Sequence, residues 1–234
     1  MNTENTKNTP TRQYLKDYQA PQFLIESCHL RFNLHETKTQ VVSKIKFKKL
    51  TEAPLVLNGL DLKLVSVSLN EKALSPADYI QTPVSLTINN TPAEFILQVC
   101  VEVNPEANKS CEGLYLSQGI FTTQCEAEGF RHITYFLDRP DVMTSYTVEI
   151  EADEKKYPVL LSNGDRIHYQ KIENNRHQAT WKDPFKKPSY LFALVAGDLG
   201  VIEDSFTTRS GKKVKLEVFA PHGKQIVVTT LWSL

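Results

Sequence analysis

The chain has 234 residues, with 27 Lys+Arg against 27 Asp+Glu, 41% hydrophobic and 23% charged side chains. That balance fits a folded globular chain and argues against nucleic acid as a main partner, which needs clustered net positive charge. No apolar run approaches the ~20 residues that span a bilayer, and residues 1–11, polar and rich in Asn and Thr, lack the apolar core of an export signal, so a cytoplasmic chain with no membrane partner is expected.

Residues 1–18 read as a flexible leader, residues 19–220 as one β domain and residues 221–234 as a divergent tail. Phe23, Ile25, Cys28, Leu30, Phe32 and Leu34 follow a two-residue period with one slip at Ser27-Cys28, which predicts a strand with a bulge. After a turn at residues 35–38, Val41, Val42, Ile45 and Phe47 start the return strand. Further strands are predicted over residues 54–59, 62–69, 84–88, 95–103 and 144–152, the last with Tyr146, Val148 and Ile150 on one face. Glu173-Asn174-Asn175 and Arg209-Ser210-Gly211 mark hairpin turns. The apolar run 190–196 reads as a buried central strand, and the one short helix is expected around residues 140–143.

Turn signals recur at short intervals, and no segment carries a sustained helical stripe. The fold class is therefore all-β: a large twisted β-sandwich or saddle of antiparallel and mixed strands, with at most short helical turns. The uncharged, β-prone run from Gln225 to Leu234 reads as a final strand, or as a chain that stops before its natural partner surface.

Polar and ionisable residues crowd together between Thr123 and Asp141 with no period to explain them. Gln124 and Glu126 sit at i and i+2, so on a strand both leave one face. A neutral acceptor beside a carboxylate suits an ammonium group, which offers three donors and one charge. Cys125, His132 and Asp138 form a second candidate, a thiol nucleophile with its base and orienting acid, although Cys125 would then point inward, where a thiol is inert. Glu126 and Glu128 could serve as an acid–base pair. His35-Glu36 opens a zinc motif, but position 39 is Thr, so H-E-x-x-H is absent and a solvated turn is expected. His168 and His177 flank a hairpin turn and are expected to form a cross-strand polar pair. Cys28, Cys100, Cys111 and Cys125 form no close-spaced pair and read as reduced thiols. On these grounds alone the chain is an all-β domain with one polar, amine-binding edge.

Several stretches taken in register go further. They are Gly113-Leu114-Tyr115, Thr123-Gln124-Cys125-Glu126-Ala127-Glu128-Gly129-Phe130-Arg131-His132 and Leu137-Asp138-Arg139-Pro140-Asp141-Val142, then Leu161-Ser162-Asn163-Gly164, Trp181-Lys182-Asp183-Pro184-Phe185 and the run 190–198. Over residues 14–220 the chain resembles the N-terminal β-saddle domain of the bacterial aminopeptidase N family, zinc aminopeptidases with an H-E-x-x-H motif. The resemblance implies that Gln124 and Glu126 anchor the free α-ammonium of a peptide substrate in a neighbouring catalytic domain. It implies zinc in the full-length enzyme and none in this chain, with peptides bearing a free N-terminus as substrates. The missing catalytic domain would be its partner, and the chain itself a monomer. Because H-E-x-x-H, the third zinc ligand and the G-A-M-E-N loop do not occur in this sequence, no catalytic residue is assigned, and the chain alone is expected to be inactive. The likeness fades after about residue 220, which is read as a truncated or frame-shifted product or an incomplete chain. A stand-alone binding module and a β-sandwich cysteine hydrolase are the rival readings.

Overall fold

The structure, a computed structural model, describes residues 14–224. The strands are β1 (Phe23–Asn33), β2 (Thr39–Lys49), β3 (Leu55–Asn58), β4 (Lys63–Leu69), β5 (Lys72–Ala73), β6 (Ile80–Gln81), β7 (Ser85–Ile88) and β8 (Glu94–Val103). They continue as β9 (Gly113–Ser117), β10 (Ile120–Gln124), β11 (Met143–Asp153), β12 (Val159–Ser162), β13 (Asp165–Ile172), β14 (Arg176–Pro188), β15 (Leu194–Gly197), β16 (Leu199–Thr207) and β17 (Lys213–Pro221). The helical content of the described residues is confined to 3-10 turns at Leu15–Asp17, Gly129–His132 and Ser189–Leu191.

An eight-stranded sheet in the order β13-β14-β11-β1-β2-β8-β4-β5 forms one layer. Its β1–β11 pair is parallel and its other pairs are antiparallel, which gives the mixed sheet expected. The slip in the β1 pattern is a register shift between Ile25 and Ser27. The extra residue returns Cys28, Leu30 and Phe32 to the buried face, which is why a broken alternation still makes a one-sided strand. The opposite face is solvated and carries cross-strand polar pairs, His29 with Glu149 at 2.8 Å and Lys46 with Glu26 at 2.6 Å.

A four-stranded sheet (β12-β15-β10-β9) and a three-stranded sheet (β3-β7-β6) cover the apolar face of the large sheet. One contiguous core joins the layers: Phe32, Ile45, Leu97 and Ile150 from the large sheet belong to the same cluster as Leu57, Leu86, Phe121 and Leu194. This is an all-β sandwich. β16 and β17 form a separate two-stranded ribbon.

Two local expectations need correction. Residues 140–143 do not form a helix; Val142 N–H bonds the Arg139 carbonyl at 3.2 Å in a single turn, and the 3-10 turn sits upstream at Gly129–His132. Phe130 explains the placement. Its ring centroid lies 4.7 Å from that of Phe136 and 5.2 Å from that of Phe192, which anchors the upstream turn in the core. The run 190–196 is a strand only from Leu194, because a 3-10 turn at Ser189–Leu191 precedes it; β15 is nonetheless central, between β12 and β10. The uncharged run 225–234 lies outside the described residues.

Candidate functional site

The polar stretch begins at the end of β10. That strand pairs with β9, Gln124 opposite Gly113, and with β15, Phe121 opposite Ala196. It stops at Gln124 because the chain folds back on itself. Gly129 N–H donates to the Cys125 carbonyl at 2.9 Å, and Gly129 lies so close to the Gln124 carbonyl oxygen that a Cβ would strike it. Gly113 on the neighbouring strand has φ +70 and packs on His132, again with no room for a Cβ.

Gln124 and Glu126 are both exposed and Cys125 between them is buried, but not because of a strand pleat. Glu126 lies on the turn after β10, and the turn turns its side chain outward. Gln124 Nε2 donates to the Glu126 main-chain oxygen at 3.3 Å, which ties the two residues and leaves the Gln124 Oε1 as an acceptor. Glu128 is occupied: its carboxylate meets Arg131 Nη1 at 3.1 Å. No cation or hydrogen-bond donor among the described residues meets the Glu126 carboxylate.

A buried brace lies behind the loop. Asp138, 3% exposed, accepts Arg131 N–H at 3.1 Å and Arg131 Nε–H at 3.0 Å on one oxygen, and Ser189 Oγ–H at 2.6 Å on the other. Arg131 Nη2 also donates to the Asp138 carbonyl at 3.1 Å, and Asn58 Oδ1 accepts the Asp138 N–H at 3.3 Å. The sequence placed Arg131 and Asp138 in the crowded stretch but gave no sign of Ser189 or Asn58, which come from other elements. A charged cluster without period was the one signal available.

This brace overturns the cysteine hydrolase. Asp138 orients Arg131 and not His132. The His132 ring instead faces Asp61 Oδ2 from Nδ1 at 3.4 Å and Glu112 Oε2 from Nε2 at 3.3 Å. Cys125 is 2% exposed, and burial first, then the charge of Asp138, pushes its thiol pKa far up. A thiol so placed holds its proton and is no nucleophile at neutral pH. All four cysteines are free, and Cys111 is the exposed one.

The remaining candidates resolve in the same way. His35 is exposed in its turn, where its N–H donates to Thr39 Oγ1 at 3.0 Å and its carbonyl accepts from that hydroxyl at 2.6 Å. His168 and His177 do not pair: the register sets His168 opposite Thr180, and the buried His177 bonds the Tyr157 carbonyl at 2.8 Å. Burial lowers the pKa of His177. Among the described residues no group of three or more His, Cys, Asp or Glu could hold a metal ion, so the residues in hand do not fit a zinc site. No helix among the described residues is long and apolar enough to cross a membrane.

A cleft of about 690 Å³ lies nearby and does not contain Gln124 or Glu126. It reaches the same loop from the other side, through Glu128, Arg131 and Asp138, and its far wall is formed by residues 18–23 and the β3 strand. The exposed Gln124–Glu126 pair is thus a surface feature, supported from behind by a braced loop.

The chain matches known proteins along most of its length. It is 50% identical over 216 residues to the aminopeptidase N of Escherichia coli (strain K12), which covers 92% of this chain and 25% of that protein. It is 49% identical to the aminopeptidase N of Caulobacter vibrioides over 93% of this chain and again 25% of the relative. The chain therefore spans about a quarter of the length of the curated relatives it matches. Among solved structures, Legionella pneumophila aminopeptidase A in complex with aspartic acid superposes with a TM-score of 0.87 at 30% identity, over 92% of this chain and 26% of that one. An M1 zinc metallopeptidase from Deinococcus radiodurans has a TM-score of 0.73 at 14% identity over 86% of this chain and 48% of that one, a likeness of fold. Residues 17–191 match the model of the peptidase M1 N-terminal domain, and the chain belongs to that family.

Proposed function

We propose that this chain supplies the substrate-amine anchor of a zinc-dependent aminopeptidase N, with Gln124 and Glu126 as the anchoring residues. The carrying observation is the state of Glu126. It is exposed and, among the described residues, without a cation, two residues from a Glu128 that Arg131 neutralises, on a loop held by a buried brace. A free carboxylate on a rigid support attracts an ammonium group. Gln124 Oε1 adds a neutral acceptor beside it, so the three ammonium donors meet one charge and one amide oxygen.

Such an anchor works by position. It holds the substrate's amino end at a fixed place and so sets which peptide bond reaches the reacting centre, without making or breaking a bond itself. The metal chemistry would be supplied by another domain, because no group of three or more His, Cys, Asp or Glu among the described residues could hold a metal ion. Peptides with a free N-terminus are the substrates this reading requires, and an N-acetylated peptide is excluded by it.

A chimera tests the reading. Residues 1–220 of this chain replace the matching segment of the Escherichia coli relative. Release of alanine from an alanyl substrate is then compared between the chimera and its Glu126→Gln variant. Loss of one charge-assisted hydrogen bond corresponds to a fall in kcat/KM of about 10- to 100-fold. An active chimera whose Glu126→Gln variant keeps its full kcat/KM would show that the anchor lies elsewhere.

A further inference from the structure

The ribbon of β16 and β17 pairs with no other sheet among the described residues. β17 alternates charged and apolar side chains, Lys213, Lys215 and Glu217 against Val214, Leu216 and Val218. The register sets Ile202 opposite Val218 and Phe206 opposite Val214. These five apolar side chains therefore share one face, with Asp204 among them. The other face settles its own charges: Lys215 Nζ meets Glu203 and Glu217, each at 2.7 Å. On the apolar face Phe206 is 59% exposed. Among the described residues, none of the five belongs to the apolar core cluster or to the half-buried side chains packed against it. A two-stranded hairpin is marginal in water unless something packs on its apolar face.

The place of the ribbon in the chain says what that is. The match to the peptidase M1 N-terminal domain covers residues 17–191 and stops before β16. The Escherichia coli relative matches over 216 residues, 92% of this chain, which takes in most of the ribbon, and the matched part is 25% of that protein. The longer protein thus carries the ribbon too, between its N-terminal domain and the part that follows. We infer that the apolar face of the β16–β17 ribbon is the docking surface for the domain that follows the N-terminal domain in such a longer protein. That domain presents an apolar patch, and Leu216, at the centre of the ribbon's face, and the exposed Phe206 are the side chains it buries. The inference rests on the proposed function only in placing this chain in a longer aminopeptidase; it does not need the Gln124–Glu126 anchor.

The experiment is hydrogen exchange read by mass spectrometry, on the 234-residue chain and on the chimera in which the Escherichia coli relative carries residues 1–220. The expected result is ribbon exchange at least about tenfold slower in the chimera, with β1 and β2 the same in both. Leu216→Lys should remove most of that protection in the chimera and leave exchange in the 234-residue chain as it was. If the chimera does not fold, the intact relative and the segment of it that matches the ribbon take its place. Equal ribbon exchange in the short and the long protein would overturn the inference. So would a Leu216→Lys effect of equal size in both, since the short chain would then cover the face itself. Ribbon exchange in the 234-residue chain that slows as its concentration rises would also overturn it, in favour of a second copy. Failure of the anchor shows elsewhere, in the kcat/KM of Glu126→Gln, so the two outcomes stay distinct.

Discussion

Arg131 and Asp138 grip each other through one oxygen: Asp138 Oδ2 accepts both the main-chain N–H of Arg131, at 3.1 Å, and its Nε–H, at 3.0 Å. The pair is largely out of water, with side-chain exposures of 15% and 1%. Breaking one member of such a pair leaves an uncompensated charge and costs about 3–5 kcal/mol. Asp138→Ala should therefore lower unfolding stability by that order. Asp138→Asn, which keeps the shape and some acceptors, should cost less. Urea denaturation of the two variants checks this, and equal losses would mean that the shape and acceptors kept by Asn contribute nothing and that the charge on Asp138 carries the whole effect.

Gly129 sets the turn by having no side chain. A Cβ there would strike the Gln124 carbonyl oxygen, a main-chain atom that cannot swing aside. Gly129→Ala is expected to cost about 1–3 kcal/mol and to move the amide resonances of Gln124 and Glu126. Gly119 is the control. Its φ is +78, but a Cβ meets nothing within 4 Å, so Gly119→Ala carries only the backbone cost of about 1 kcal/mol and should leave those resonances in place. Thermal unfolding and two-dimensional NMR of both variants separate the effects.

Acid should loosen the contact between the start of the chain and the loop. Arg139 grips Asp141 with Nε at 2.9 Å and Nη2 at 2.6 Å, and Tyr18 O–H donates to the same carboxylate at 3.0 Å. The Arg139 hydrogen bonds first, and then that of Tyr18, hold the Asp141 pKa below its ordinary value. The folded chain thus binds fewer protons at this site than the unfolded chain. The contribution is complete above the unfolded value of about 3.9 and is lost as pH falls through the depressed folded value. Asp141→Asn should flatten that acid limb and, at a partly exposed pair, cost no more than about 1 kcal/mol at neutral pH. Stability curves between pH 2 and 7 for the two proteins give the comparison; an unchanged acid limb in the variant would remove Asp141 from the account.

Most strands were legible because each buries one face and exposes the other. β1, β2, β8 and β11 alternate in sequence as they do in burial, and the break in β1, expected at Ser27-Cys28, falls just before it, between Ile25 and Ser27. The loop from 125 to 142 was not legible in this way, because its conformation is fixed from outside. Phe130 is held by Phe192, Asp138 by Ser189 and Asn58, and His132 is met by Asp61 and Glu112. No local period encodes partners from distant elements, so the helical turn was expected at residues 140–143 and not at Gly129–His132. The exposure of Gln124 and Glu126 was read correctly but for the wrong cause. A strand alternation was assumed where a glycine-dependent turn does the same thing.

The parallel pairing of β1 with β11 carries a consequence for how the chain is made. β1 meets β2 at once, since the two are neighbours in sequence, but its other side waits for β11, which is synthesised far later (Ser27 pairs with Ser145). Until then one row of main-chain groups in the middle of the future sheet stands open, on a strand whose inner face is wholly apolar. Closing it requires a long loop to be brought together first, which makes the step slow. A ribosome-bound chain that has not yet released β11 is therefore a half-sheet with an open central edge, and this interval, more than the finished fold, is the one in which aggregation is most favoured.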